Sequence, residues 1–196
     1  MEYKAGKGEN MHQKKDLLPS GVSFEEIYFY DLSVSMFDHF NRHQEIRWCW
    51  RKTNGNWALE NTPGVVEWNK EDIASLVDRL RITLGSSGIL LGAFIGPYLI
   101  GFASIEIESF GTYYEYLQLS NLYVSYECRR KGVGRKLFQL ACRTAKGMGA
   151  QKLYICAPPY EETQAFFKSM RCVEASYLHK EQIEAEPLCR HIECSL

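Results

Sequence analysis

Apolar residues along this chain recur with two different periods. From Asn69 onward, Ile73, Leu76, Val77, Leu80 and Leu84 return at the three- and four-residue steps of one helical face, with Asn69 suited to cap the start and Gly85-Ser86-Ser87-Gly88 to end it. A helix is expected there. Residues 89–95 and 98–108 read instead as strands joined by Gly96-Pro97, the second placing Ala103, Ile105 and Ile107 on one face and Ser104, Glu106 and Glu108 on the other. After a turn near Gly111, residues 116–124 predict a further strand that passes through a glycine-containing turn into a helix over about 132–148. The inner side of that helix is expected to carry Val133, Leu137, Leu140, Ala141 and Thr144, and Gly147 and Gly149 mark its end.

The flanking segments continue the alternation. Phe24, Ile27 and Phe29 suggest a first strand over 23–32, and Val34, Phe37 and Phe40 a helix over 33–43. Residues 46–52 and 57–60 flank Asn54-Gly55, a pair suited to the positive φ angles of a tight hairpin. Trp48, Trp50, Trp57 and Trp68 all fall in this neighbourhood, where they either pack the hairpin onto the core, the expected role, or line a substrate pocket. Downstream come a strand over 151–157 closed by Pro158-Pro159, a helix over 161–170, a strand over 172–178, a Glu/Ala-rich turn and a last strand over 191–196. The pattern predicts an α/β protein with a mixed sheet and helices on both faces. Residues 1–22 are polar and aperiodic and read as an N-terminal tail, leaving 23–196 as one domain.

Composition narrows the classes. A chain of 196 residues suits one well-buried domain, and a formal charge of -1 argues against a dedicated nucleic-acid binder, so any basic function must be local. The seven cysteines form no CxxC pair and no zinc-ligand spacing, so no metal is expected, and they read as reduced, mostly buried thiols. The longest apolar stretch, 89–95, is too short to cross a bilayer, and the first residues lack a signal-peptide pattern. No membrane partner is expected, and the cytoplasm is the expected location.

Candidate chemistry concentrates where the strand over 116–124 turns into its helix. Arg129, Arg130, Lys131, Arg135 and Lys136 gather at a helix N-terminus, which the macrodipole and unpaired amides already make positive. An anion among them resolves the conflict, and a diphosphate is the obvious one. Gly132-Val133-Gly134 lacks the third glycine of a dinucleotide fingerprint, with Leu137 at that place, and the chain contains no GxxxxGK[ST].

Arg129-Arg130-Lys131-Gly132-Val133-Gly134 resembles the [Q/R]xxGx[G/A] acyl-coenzyme A signature of the GNAT (GCN-related) N-acetyltransferase superfamily. The resemblance extends in element order from about residue 23 to the C-terminus. Ala165-Phe166-Phe167-Lys168-Ser169-Met170-Arg171-Cys172 looks like the family's later helix and turn, and Phe40 to Gln44 and Leu117 to Ser120 are similar to stretches of an uncharacterised bacterial subgroup that acetylates small amines. The implied fold is a twisted mixed sheet of about seven strands that splays between its fourth and fifth, here those ending at Val124 and Ala157.

The resemblance also implies roles. Amides from Arg130, Lys131, Gly132, Val133, Gly134 and Arg135 would cradle the diphosphate of acetyl-CoA, with the side chains of Arg129, Arg130, Lys131 and Arg135 as mobile cations around it. Leu122, Tyr123 and Val124 would offer edge-strand groups to the pantetheine amides. A neutral primary amine of a small molecule would attack the thioester directly, with the oxyanion held by an amide near Tyr123 or Val124. Phe167 stands where the family often has an acid tyrosine, so Tyr160 is the candidate acid, with departure as a free thiolate the alternative. Glu106, Glu108 and Glu115 are candidate bases beside the acceptor cleft, with Glu106 and Glu115 preferred, and Asn41, Arg42, His43 and Glu45 fall where the family builds its acceptor pocket. Arg171 replaces the family's usual glycine, leaving open whether that turn is kept. The alternative functions are acetylation of protein N-termini or lysines, or a non-catalytic acyl-CoA sensor, and homodimers are common in the family.

Overall fold

The computed structural model describes residues 18–196, so most of the proposed tail, residues 1–17, lies outside the described residues. The chain runs β1 (Val22–Glu26), β2 (Gln44–Thr53), β3 (Asn56–Val66), α1 (Lys70–Gly85), β4 (Ile89–Ile95), β5 (Tyr98–Phe110), β6 (Tyr116–Val124), α2 (Val133–Gly147), β7 (Lys152–Ala157), α3 (Glu161–Ser169), β8 (Val173–Glu174), α4 (Lys180–Ala185) and β9 (Arg190–Ser195). Among the described residues, seven strands form one sheet in the order β1-β4-β5-β6-β7-β9-β8, and β2 and β3 pair as a separate hairpin. Within the sheet only β6 and β7 are parallel.

Alternation along β5 sorts two cores onto the two faces of the sheet. Phe102 joins Leu76, Val77, Leu80 and Leu90 under α1, whereas Ala103 and Ile105 join Leu137, Phe138 and Ala141 under α2. A capping box fixes the start of α1: Asn69 Oδ1 accepts from Asp72 N–H and Asp72 Oδ2 from Asn69 N–H, each at 2.9 Å. The buried stripe of α2 is Val133, Leu137, Phe138, Ala141 and Ala145. Leu140 and Thr144, expected on that stripe, are only half-buried at its edge.

Other departures follow from tertiary bonding. The helix expected over 33–43 is a single 3-10 turn, Val34–Phe37, because the chain beyond it docks on the end of β6: Tyr126 N–H donates to Asn41 C=O at 2.9 Å and Asn41 N–H to Ser125 Oγ at 3.0 Å. Phe37 and Phe40 still reach the core. The first strand stops at Glu26 in a turn over Tyr28 to Leu32, the strand expected over 172–178 shrinks to Val173–Glu174, and the Glu/Ala-rich turn is α4. All seven cysteines are free thiols, but only Cys49 is buried and the other six are half-buried.

The turn after α3 keeps the geometry a glycine would give it. Arg171 N–H bonds Lys168 C=O and Cys172 N–H bonds Phe167 C=O at 3.1 Å, which closes a Schellman motif with Arg171 at φ 65°. A side chain in that left-handed region is strained, so Arg171→Gly is expected to stabilise the protein by about 1 kcal/mol and raise Tm by roughly 2–4 °C. Scanning calorimetry checks this, and an unchanged or lower Tm would show that the arginine makes a compensating contact.

Candidate active site

The sheet opens where β6 acquires an extra residue. Ser104 pairs with Asn121 and Ile105 with Leu119, leaving Ser120 as a bulge, and the pairing of 116–119 with 152–155 ends at the same level. A bulge bends and twists its strand, which carries the rest of β6 away from β7. Leu122, Tyr123 and Val124 thus pair with β5 on one side and face an open gap on the other. Across the gap β7 turns to β9, pairing Ala157 with Arg190.

At the mouth of this gap lies the basic turn. Arg130 and Gly132 both adopt positive φ, 61° and 81°, and the first helical bond of α2 runs from Lys136 N–H to Gly132 C=O at 3.0 Å. The amides ahead of Lys136 therefore form the open end of the helix, where an anion is favoured. A Cβ placed on Gly134 would lie in ordinary contact, 3.4 Å from Val124 Cγ2 and 3.6 Å from the Phe166 ring, so the space between β6 and α3 admits a methyl group there and little more. Arg130, Lys131 and Arg135 are exposed around it. Arg129 differs from expectation: its Nε donates to Val124 C=O at 2.9 Å and its guanidinium lies over Tyr126, so it braces the end of β6 instead of moving freely. These groups suit a diphosphate followed by an extended amide-bearing arm.

The α1 face of the gap holds a polar chain and an aromatic wall. Thr83 Oγ1 and Ser120 Oγ both donate to Glu106 Oε1, at 2.8 and 2.6 Å, and Ser104 Oγ lies 2.7 Å from Ser120 Oγ and accepts from Asn121 Nδ2 at 2.8 Å. Glu106 is thereby tied to the bulge where the gap begins. Beyond it, Tyr123 packs against Trp68 and Phe102. Of the four tryptophans only Trp68 joins this wall. Trp57 Nε1 donates to Glu174 at 2.8 Å and Arg190 lies over Trp50 and Trp57, so these two fasten the hairpin to the sheet edge, while Trp48 is largely exposed.

Tyr160 stands at the start of α3, beside the hairpin: Cys49 and Tyr160 form a bridge and Trp50 N–H donates to Pro159 C=O at 2.8 Å. Burial raises its phenol above the usual value, with the nearby Arg42 charge opposing. Tyr123 is raised for the same reasons in the same order. Phe167 packs into the core against Phe138 with ring centroids 5.9 Å apart.

Two expected residues, Glu115 and Glu108, are not brought to the gap. Glu115 precedes β6, at the end of that strand opposite Val124, where its carboxylate accepts from Tyr113 N–H at 2.8 Å and its carbonyl holds the start of β7. Glu108 is exposed near the same end of β5. His43 bonds Glu67 at 2.7 Å and packs edge-on against Tyr126. Ser104, Ser120 and Asn121 were missed as site residues, because a bulge is set by pairing with β5 and has no local mark in Leu117-Gln118-Leu119-Ser120.

Comparison with known proteins gives the family and the fold. The model of the acetyltransferase (GNAT) family matches residues 25–170. No curated protein sequence matches the chain. Among solved structures, nourseothricin acetyltransferase superposes with a TM-score of 0.62 at 14% identity, covering 90% of this chain and 99% of that one. A protein of Bacillus anthracis described as a streptothricin acetyltransferase, in complex with acetyl coenzyme A, gives 0.61 at 14% identity, covering 89% and 98%. The PaiA N-acetyltransferase of Thermoplasma acidophilum with coenzyme A gives 0.56 at 14%, covering 89% and 99%. Likeness at such identity is likeness of fold. Among the described residues no cluster of metal-ligating side chains occurs and no helix is long and apolar enough to cross a membrane.

Proposed function

This chain belongs to the GNAT family of acetyl-CoA-dependent acetyltransferases, and from that premise we propose that it transfers the acetyl group to a primary amine of a small molecule by direct attack within a ternary complex. Acetyl-CoA supplies the activated acyl group as a thioester. The observation that carries the donor half is the parting of β6 from β7 beyond Leu119, with the edge of Leu122, Tyr123 and Val124 running up to the glycine turn without a strand partner on that side and only Val124 C=O taken, by Arg129. The residues fit the cosubstrate: an open helix end for the diphosphate, a small residue at Gly134 beside it and a strand edge at Leu122 and Tyr123 with no neighbouring strand for the arm.

The acceptor half rests on enclosure. The β2–β3 hairpin reaches across to Tyr160 and Pro159 at the head of α3, on the β7 side of the gap, and this cover favours a compact amine over a protein segment. Tyr160 is assigned as the group that gives a proton to the departing sulfur, since its raised pKa keeps the phenol protonated at neutral pH. Glu106, through Ser120, is assigned as the carboxylate that draws the proton from the amine. Thiol release with a panel of small primary amines and of peptides with free N-termini or lysines tests the reading. Turnover confined to small amines is the expected result. Turnover on peptides alone would move the acceptor to proteins, and tight coenzyme binding with no turnover on any amine would make the protein a sensor.

A further inference from the structure

Among the described residues, Arg42 is the one strongly charged group buried in the wall of the acceptor side, and no carboxylate among them pairs with it. It is 7% exposed, its Nη1 donates to the neutral Gln44 Oε1 at 2.9 Å, and its Nε is buried without any hydrogen-bond partner. Its guanidinium carbon lies 5.0 Å from the Tyr123 ring centroid and 5.6 Å from that of Trp68, two rings that are themselves 4.9 Å apart. Its position is not an accident of a loose loop. The neighbouring Asn41 is bound by backbone and side chain to Ser125, Tyr126 and Glu127, so Arg42 is held against the end of β6.

A guanidinium presents five in-plane donors and stays charged at any physiological pH. Aromatic faces compensate part of the lost hydration, but burying a charge without an opposite partner remains costly. The groups that act on Arg42 include no carboxylate: Tyr160 lies nearby, Tyr123 shares a side-chain hydrogen bond with it, and burial weakens its hold on the proton. Arg129, committed to Val124 C=O, sits near enough to add repulsion. An anion arriving with the substrate would satisfy the unpartnered Nε–H and relieve that repulsion together, and planar carboxylate matches the guanidinium edge.

We propose that the acceptor amine carries a carboxylate, an amino-acid-like small molecule, and that Arg42 is the residue that binds this carboxylate beside Tyr123 and Trp68. This inference rests on the acetyltransferase reading and deepens it. Arg42 determines which amines enter and takes no part in the proton transfers, so its loss acts on KM for one class of substrate.

The test uses the full chain with acetyl-CoA and pairs of acceptors that differ only in charge: the protein amino acids, β-alanine and 4-aminobutyrate, each against its carboxamide. At least one acid is expected to exceed its carboxamide in kcat/KM by about a hundredfold. Arg42→Met should raise KM for that acid by about a hundredfold with kcat and coenzyme affinity nearly unchanged, and Arg42→Lys should recover part of the loss. Equal use of acids and carboxamides, or an equal loss on both in Arg42→Met, would overturn the proposal while the acetyltransferase reading stands. If no amine is turned over, that reading fails on its own. Calorimetric titration of the same acids onto the coenzyme-loaded protein then decides the role of Arg42: binding lost in Arg42→Met upholds it, and no binding to the wild type rejects it.

Discussion

Gly134→Asp is expected to weaken binding of coenzyme A by at least about a hundredfold, or about 2.7 kcal/mol, while Gly134→Ala binds nearly as the wild type does. The contrast comes from geometry. A Cβ at this position meets Val124 Cγ2 at 3.4 Å and the Phe166 ring at 3.6 Å, which is ordinary contact, so a methyl group is accommodated. The further atoms of aspartate must project into the passage between β6 and α3. They carry a negative charge to the open helix end that suits the diphosphate. The same charge in the first turn of α2 favours the helix, so the variant should fold at least as well as the wild type. Gly132→Asp is expected to lose binding too, but φ of 81° at Gly132 makes any side chain there strained and mixes folding with binding. Titration calorimetry with Gly134→Asp is therefore the cleaner measurement, and unchanged affinity would place the diphosphate elsewhere.

Tyr160→Phe is expected to lower kcat by about a hundredfold and leave coenzyme affinity intact. The phenol is half-buried at the start of α3, where its side chain makes no capping bond to the helix, so removing the hydroxyl takes away no cap. Its pKa is raised by burial, with Arg42 opposing, so the proton is present through the neutral range. An unchanged kcat would remove Tyr160 from the mechanism and leave departure of the free thiolate, which a thiol of ordinary pKa near ~8.5 permits. Phe167 offers no substitute, since its ring lies in the core against Phe138.

Local pattern made much of the fold legible. The Asn69 cap of α1, the tight turn at Asn54-Gly55 and the alternation of β5 as far as Ile105 all depend on neighbours within a few residues, and each is recognisable along the chain, whereas Ile107, expected on the inner face, is exposed. Elements whose form depends on distant partners were not. The segment after Phe37 gives up helical bonds for those that Asn41 makes to Ser125 and Tyr126. The tryptophans divide between a site wall and a sheet-edge clasp because Trp68 and the hairpin dock on different parts of the sheet.

The candidate site shows the same division. Glu106 and Glu115 read alike along the chain, yet one is tied through Ser120 to the opening of the sheet and the other closes the far end of β6. Arg42 read as one polar residue in a loop of four and became a buried cation that no carboxylate among the described residues pairs with. The sequence by itself made the proposed diphosphate end of the donor site legible, since a helix N-terminus and two glycines act through contiguous backbone. Only the tertiary structure brings together the residues of the proposed acceptor half and the open strand edge beside it. Charge, burial and hydrogen-bond satisfaction there are properties of groups that meet across the fold, and no spacing along the chain encodes them.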